Sequence, residues 1–320
     1  MIDLLLWIAL GLLLALVVAA IVVPLTVLFW WAGWSKRATP GGGGVPARVA
    51  PPAAPTLGPF LVYLSGVGDI SDDYQTRYED QLLEAVAARV PGLVVSSDVF
   101  AFSVDNLGMT SQRSLGWFWT WVNKERLRKG GLLRPVGHLI DLRNILQLTV
   151  SADARYGPIY NYSVAEIILQ SLLRHGYVPG SGAPVALLGY SGGGQIALAT
   201  AEYVQATLQA PVQVISMGGL MNSSRSLRSI ERLTHLYGTH DYAQRSADWI
   251  FPKRWPIFQR SDWNQAIAAG RLQRICLGPM GHTGRKSYLD ATVTVADGRS
   301  YQEVTAAAIA GLVRRPEQED

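Results

Sequence analysis

Residues 185–201 read VALLGYSGGGQIALATA, and this stretch decides the fold. Its first part, Val185–Gly189, is apolar and typical of a buried strand, whereas Gly194–Leu208 has the pattern of a helix. Between them lies a G-x-S-x-G turn centred on Ser191. Glycines flank a serine in this way where a sharp turn leaves no room for neighbouring side chains. The sequence therefore predicts a reactive serine between a strand and a helix.

Strand-like and helix-like segments alternate on both sides of this turn. The other predicted strands are Phe60–Leu64, Leu93–Phe102, Val212–Met217, Leu233–Tyr237 and Leu272–Leu277, and further helices are predicted at Tyr78–Val90 and Tyr301–Val313. Continuous apolar strands separated by helices are typical of a parallel sheet that is covered on both faces. We therefore predict the α/β class, with a mainly parallel sheet flanked by helices.

One connection is much longer than a strand–helix–strand crossover requires. About eighty residues separate the second and third predicted strands, and they contain helical patterns at Gly137–Thr149 and Ser163–His175. The sequence thus predicts a helical insert at about residues 103–183.

The G-x-S-x-G turn in this strand–helix context resembles the nucleophile elbow of the α/β-hydrolase superfamily, and the resemblance extends over about residues 60–313. A phosphate-binding P-loop is excluded because no lysine follows in the required position. A dinucleotide-binding turn is excluded because the nearest acidic residue, Glu202, lies in the middle of the predicted helix. The resemblance implies a serine hydrolase whose nucleophile, acid and histidine follow one another along the chain.

Ser191 is then the predicted nucleophile, and His282 is the histidine best placed to act as its general base. Four other histidines fit less well, because two precede the serine, one lies within a predicted strand and one shares the loop of the acid: His138, His175, His235 and His240. The predicted acid is Asp241, directly after the strand Leu233–Tyr237. Asp248 and Asp262 lie in the same interval and stay open as alternatives.

An oxyanion hole would need backbone N–H donors near the nucleophile. The resemblance implies Gly192 as one donor and Val67 or Gly68, in the glycine-rich loop after Phe60–Leu64, as the other. This loop lacks the HGGG pattern of many lipases, so the subfamily is left open.

The insert contains Trp117-Phe-Trp-Thr-Trp121, followed by several lysines and arginines. One interpretation is a lid helix whose aromatic side chains are buried over the site, with Trp117, Trp121 and Tyr190 lining an apolar substrate pocket. The other is an aromatic and basic surface that lies in an anionic headgroup layer.

The amino-terminal part predicts a membrane anchor. Leu4–Gly33 is uncharged and long enough to span a bilayer, and tryptophans follow where a signal peptide would have its cleavage site. Lys36 and Arg37 directly after the span predict a cytoplasmic catalytic domain. The expected organisation is an anchor at 1–34, a Gly/Pro/Ala-rich linker at 35–59, a hydrolase domain at 60–315 and a tail at 316–320.

Composition excludes several classes of protein. A formal net charge of +4 without a long basic run argues against a nucleic-acid partner. The single Cys276 excludes an internal disulfide framework, a Cys₄ zinc site and an iron–sulfur centre. We expect neither a metal nor a cofactor.

Together these features predict a single-pass, membrane-anchored serine hydrolase that cleaves a small-molecule or lipid ester, or a thioester, with an apolar acyl group. Two alternatives stay open. The same residues could transfer the acyl group to an alcohol, or the fold could serve as a membrane-tethered binding protein without activity.

Overall fold

The computed structural model describes residues 58–71, 77–111, 116–128 and 134–314. The predicted membrane anchor, nearly all of the linker and the tail lie outside these residues. Within the described ranges, no helix combines the length and apolar character needed to cross a membrane.

In the described part of the chain, six parallel strands form one sheet in the order β2-β1-β3-β4-β5-β6. The strands are β1 (Phe60–Leu64), β2 (Val94–Ser96), β3 (Val185–Tyr190), β4 (Val212–Met217), β5 (Arg232–Tyr237) and β6 (Leu272–Cys276). The helices are α1 (Arg77–Ala87), α2 (Gly116–Leu127), α3 (His138–Ala152), α4 (Gly157–Arg174), α5 (Gly192–Leu208), α6 (Tyr242–Ile250), α7 (Asp262–Ala268) and α8 (Tyr301–Val313). The predicted α/β class with a parallel sheet flanked by helices is confirmed.

The core lies on both faces of the sheet. Alternate side chains of β1 point to opposite faces: Phe60 and Val62 pack with the cluster that includes α4 and α5, whereas Leu61 and Tyr63 pack with the cluster that includes α1 and α8. Each fully buried apolar side chain of this size contributes about 1.5–3 kcal/mol. Because both faces are covered, the central strands carry apolar residues without the alternation of a half-exposed strand.

The second predicted strand, Leu93–Phe102, is wrong in its length, since β2 ends at Ser96. The backbone that follows Ser96 bonds to the Asn106 side chain and not to a neighbouring strand. The Asn106 amide accepts a hydrogen bond from the Phe100 N–H at 2.7 Å and donates to the Asp98 carbonyl oxygen at 3.0 Å. Backbone groups satisfied in this local way do not extend a ladder.

Of the α-helices that the structure describes, α2, α3 and α4 lie between β2 and β3, in the interval where the sequence predicts an insert. Residues of α3 and α4 pack into the same core cluster as α5, the helix that follows the serine turn. The insert therefore packs close to the carboxyl edge of the sheet, where the candidate site lies.

Candidate active site

Ser191 occupies the turn between β3 and α5 with φ 52° and ψ −120°. A positive φ is costly for a residue with a side chain. The turn is held by its backbone, because the Ser191 N–H donates to the Met217 carbonyl oxygen at 3.0 Å and the Ser191 carbonyl oxygen accepts from the Gly194 N–H at 3.1 Å. The conformation directs one side chain outward from the edge of an otherwise buried sheet.

The glycines of the motif are required by close packing. A Cβ atom on Gly189 would lie 2.5 Å from the Gly193 carbonyl oxygen, and one on Gly193 would lie 2.2 Å from the Leu64 carbonyl oxygen. Both separations are far inside van der Waals contact. Any larger residue at either position would push α5 away from β1 and β3, so the motif in the sequence reflects helix–sheet contact as well as the turn.

His282 lies next to Ser191 and Asp241 although it is 91 and 41 residues away from them in the chain. Its Nε2 atom is 2.8 Å from Ser191 Oγ, and its Nδ1 atom is 2.9 Å from Asp241 Oδ2. A histidine hydrogen-bonded in this way can take the serine proton at Nε2 while the carboxylate holds Nδ1 protonated. The structure thus brings the three predicted residues together, and their catalytic roles stay predictions.

Asp241 is fully buried at the start of α6, where its Oδ1 atom accepts a hydrogen bond from the Gln244 N–H at 3.0 Å. The Tyr288 hydroxyl donates to Oδ2 at 2.6 Å. Burial by itself raises the pKa of this carboxyl, but the hydrogen bond and charge of His282 and the hydrogen bond from Tyr288 hold the pKa below its usual range. Asp241 is therefore ionised at neutral pH.

The two alternative acids are engaged elsewhere. Asp248 forms an ion pair with Arg254 at 2.6 Å, and Asp262 forms one with Arg228 at 2.5 Å. The four other histidines are also in other surroundings. His235, for example, is buried in β5, where burial lowers its pKa to about 4.

The structure places Tyr190, predicted as a pocket residue, beside His282. Its side chain is buried, its ring stacks on the His282 ring at 5.7 Å, and its hydroxyl donates to the His282 carbonyl oxygen at 2.6 Å. These contacts fix the position and orientation of His282.

The glycine-rich loop after β1 lies directly against the serine turn. A Cβ on Gly66 would lie 3.4 Å from Ser191 Cβ, and one on Gly192 would lie 2.6 Å from a Val67 methyl group. Among the described residues, the N–H groups of Val67 and Gly68 have no backbone or side-chain acceptor. With the N–H of Gly192 at the first turn of α5, they are available to bind an oxyanion.

The insert holds this loop in place. The Asn144 side-chain amide in α3 donates to the carbonyl oxygens of Val67 and Asp69, both at 2.7 Å, and Arg126 in α2 donates to the Gly68 carbonyl oxygen at 2.5 Å. These hydrogen bonds from the insert hold the backbone of the loop in place. Sequence reasoning missed Asn144 and Arg126, because nothing local distinguishes them from other polar helix residues.

Asp69 in the same loop is buried beside Glu79, and burial together with the charge of Glu79 raises its pKa to about 8. Its Oδ2 atom has no hydrogen-bond partner in the described part of the chain. Asp69 is therefore largely protonated at neutral pH, unlike Asp241.

Two apolar side chains from outside the turn lie close to it at Gly192. The side chains of Phe102 and Leu148 come within 4 Å of where a Cβ on Gly192 would lie. In α2, by contrast, Trp117 is 72% exposed and Trp121 is 40% exposed. Their neighbours Phe118 and Trp119 pack against the core, so α2 combines both sequence interpretations.

Tyr288 was also missed by the sequence analysis. It lies on the loop after β6, and its hydroxyl accepts a hydrogen bond from the Gly238 N–H at 2.8 Å while donating to Asp241. No motif marks it, and only its place six residues after His282 could have suggested a role. In the described residues, no cluster of three or more histidine, cysteine or acidic side chains is arranged to bind a metal ion.

Several solved structures resemble this one. They include a dienelactone hydrolase-like promiscuous phosphotriesterase from metagenomic libraries (12% identity, 82% of this chain and 87% of that chain, TM-score 0.44) and the dienelactone hydrolase of Anabaena variabilis (15%, 82% and 85%, TM-score 0.33). A poly(3-hydroxybutyrate) depolymerase of Bordetella parapertussis matches at 14% identity over 83% of both chains, with a TM-score of 0.39. No family model and no curated protein sequence matches the chain. At these identities and TM-scores, the likenesses do not indicate the reaction of this chain.

Proposed function

We propose that this chain is a membrane-anchored serine hydrolase that cleaves a carboxylic ester or thioester with an apolar acyl group through an acyl-enzyme. The observation that carries the proposal is the continuous hydrogen-bonded chain from Ser191 Oγ through His282 to Asp241, with separations of 2.8 and 2.9 Å. These hydrogen bonds start at a serine with a positive φ, and the loop that carries Val67 and Gly68 lies against its turn.

In the first half of the reaction, Ser191 Oγ attacks the substrate carbonyl carbon and its proton passes to His282 Nε2. The developing oxyanion accepts hydrogen bonds from the N–H of Gly192 and from the N–H of Val67 or Gly68. The tetrahedral intermediate then breaks the bond to the leaving group, which takes the proton from His282. The alcohol or thiol departs, and the acyl group stays on Ser191.

In the second half, His282 takes a proton from water, whose oxygen attacks the acyl carbon. The second tetrahedral intermediate collapses, Ser191 Oγ leaves and recovers a proton from His282, and the carboxylic acid is released. Throughout both halves, ionised Asp241 stabilises the imidazolium that forms on His282. The reaction needs only the substrate, water and this chain's own residues.

The apolar acyl group is inferred from the side chains around the elbow. Atoms of Val67, Phe102 and Leu148 lie within 4 Å of where a Cβ on Gly192 would be, and none of these side chains offers a polar group. An acyl chain beside them would replace water with hydrocarbon contacts, at about 0.8 kcal/mol for each methylene buried.

Labelling with a fluorophosphonate probe tests the reaction. Wild-type protein should be labelled and should hydrolyse p-nitrophenyl butyrate, whereas Ser191→Ala should lose labelling and at least about 10⁴-fold of kcat. Ser246→Ala, which changes a serine whose hydroxyl donates to the Ala243 carbonyl oxygen within α6, is the matched control and should behave as wild type. Labelling of Ser191→Ala would contradict the proposal, and product analysis with added alcohol separates hydrolysis from acyl transfer.

Anchoring through residues 1–34 is tested separately. The full chain should stay in the membrane fraction after a carbonate wash, and protease added outside intact cells should leave the catalytic domain whole. Extraction by carbonate would contradict the anchor, and digestion of the domain would reverse the proposed cytoplasmic orientation.

A further inference from the structure

A surface that the sequence analysis did not single out exposes six large apolar side chains within residues 242–258. We name it the aromatic face, and it consists of Tyr242, Trp249, Ile250, Trp255, Ile257 and Phe258. Trp249 is 82% exposed and Ile257 is 80% exposed. Large apolar side chains exposed together within one short segment indicate an interaction site more often than isolated ones do.

The aromatic face is held rigidly. The Arg254 guanidinium is buried beneath it, donates to the Met221 carbonyl oxygen at 3.0 Å and to Asp248 at 2.6 Å, and stacks over the Trp263 ring at 4.1 Å. The Asn264 amide donates to the carbonyl oxygens of Trp255 and Phe258. The apolar side chains are thus presented outward by a bonded framework.

The face borders the candidate active site. Helix α6, which carries Tyr242 and Trp249, begins at Asp241, whose side chain caps it. The Met221 that Arg254 contacts lies in the loop after β4, and Leu220 in that loop donates its N–H to the Ser191 carbonyl oxygen at 3.3 Å. A partner bound to this face would therefore lie next to the carboxyl edge of the sheet.

The charges around the face favour an anionic partner. Arg245, Lys253 and Arg260 are exposed there, while Asp248 and Asp262 form ion pairs with other arginines. A second copy of the chain, packed face to face, would bring these basic groups together, because Asp248 and Asp262 are already paired with Arg254 and Arg228. Anionic lipid headgroups complement them, and aromatic side chains prefer the same interfacial layer.

We infer that the aromatic face lies in the headgroup layer of an anionic membrane and so orients the catalytic edge toward the bilayer. The chain before the described residues fits this position, because an uncharged stretch at 4–33 is joined to the domain by a Gly/Pro/Ala-rich tether. Helix α2 would make fewer apolar contacts with a membrane, because it exposes three large apolar side chains, at Trp117, Trp121 and Leu127. The inference concerns orientation and does not depend on the reaction at Ser191.

The test uses the full chain in the Cys276→Ser background, reconstituted in phosphatidylcholine vesicles with and without phosphatidylglycerol. A fluorophore is attached at Ile257→Cys, or at Leu173→Cys on α4 as an exposed control. Lipids with brominated acyl chains should quench the fluorophore at position 257 severalfold more than at position 173, and more strongly in the anionic vesicles.

Adding Lys253→Gln and Arg260→Gln should strongly weaken the preference for anionic vesicles and leave only the part due to Arg245, since each basic residue near an anionic surface favours binding about fivefold and the pair about 25-fold. Equal quenching at positions 257 and 173 would overturn the inference. Selective quenching of a fluorophore at Trp117→Cys would also overturn it, because α2 would then lie at the membrane in place of the aromatic face. Crosslinking between two copies through position 257 without lipid quenching would also overturn it, in favour of a dimer interface.

Discussion

Two loops at the carboxyl edge of the sheet each place a buried aspartate close to the serine turn, and the two carboxyl groups differ in charge. Asp241 accepts hydrogen bonds from His282, Tyr288 and the Gln244 N–H, and these hold its pKa below the usual range despite burial. Asp69 is also buried but lies beside Glu79. Burial together with the charge of Glu79 raises the pKa of Asp69 to about 8. At similar depth, the hydrogen-bond donors and the charges around each carboxyl therefore shift the two pKa values in opposite directions.

The loops also differ in what holds them. The Asp241 loop is bonded to residues of the sheet edge itself, such as Tyr288 after β6 and Gly238 after β5. The loop of Asp69 depends on the insert, through Asn144 and Arg126. Asp241 is therefore positioned by the sheet-edge loops, whereas the proposed oxyanion loop is positioned by helices of the insert.

The largest expected effect is the loss of kcat when Asp241 is replaced. Asp241→Asn should lower kcat for p-nitrophenyl butyrate by about 10⁴-fold, because the amide no longer holds His282 in the required tautomer or stabilises its charge. Asp69→Asn is the matched control and should leave kcat within about threefold, since an amide resembles the neutral acid that is present there. A loss below tenfold in Asp241→Asn, with the fold intact by thermal unfolding, would contradict the assigned role.

The second prediction concerns Asp69 and stability. Its folded-state pKa of about 8 lies above the usual value of 3.8, so between these two values the folded protein holds a proton that the unfolded chain has lost. The free energy of unfolding should therefore fall as pH rises through this window, by up to about 1.4 kcal/mol per pH unit from this group.

Denaturant unfolding of the wild type and Asp69→Asn across pH 5–9 measures the difference. The variant should lack this slope and should be the more stable of the two at the alkaline end. Identical slopes in the two proteins would show that Asp69 is already ionised, and the contrast with Asp241 would disappear.

A smaller effect is expected from Tyr288→Phe. Removing the hydroxyl takes one charge-assisted hydrogen bond from Asp241 and raises its pKa, so kcat should fall by about 10- to 100-fold and the acid limb of the pH profile should move to higher pH. Tyr160→Phe removes another buried tyrosine hydroxyl, which bonds to Ala101, and should affect stability without moving the pH profile. A drop in kcat without a shift of the acid limb would indicate a purely structural role for Tyr288.

The smallest effect is expected in the insert. The sequence interpretation of Trp117 and Trp121 as pocket residues predicts that replacing both with Ala flattens the preference for longer acyl chains. Their exposure predicts the opposite, with the ratio of kcat/KM for butyrate over acetate unchanged within about twofold. Leu148→Ala, close to the elbow, should lower that ratio by about fourfold. A larger change in the tryptophan variant than in Leu148→Ala would restore the original interpretation.

Much of the scaffold follows from local sequence. The predicted bounds of Phe60–Leu64, Val212–Met217 and Tyr301–Val313 agree with the structure, because continuous apolar runs and a Ser300–Glu303 capping box are local signals. The predicted end of the second strand does not agree with the structure. Strand β2 ends at Ser96 because the backbone that follows it bonds to the Asn106 side chain. Such a contact has no periodic signature in the sequence.

By itself, the sequence determined the turn at Ser191, because glycines two residues before and after it serve contacts that are local to one strand, one turn and one helix. It also narrowed the candidates for the acid to three aspartates and the candidates for the general base to one histidine. Only the tertiary structure decided that Asp241 meets His282 while Asp248 and Asp262 bind arginines. Parallel strands bring their carboxyl ends to one edge, but which loop side chains then touch depends on packing between residues far apart in the chain. The same reason explains why Tyr288 and Asn144 became visible only in the folded molecule.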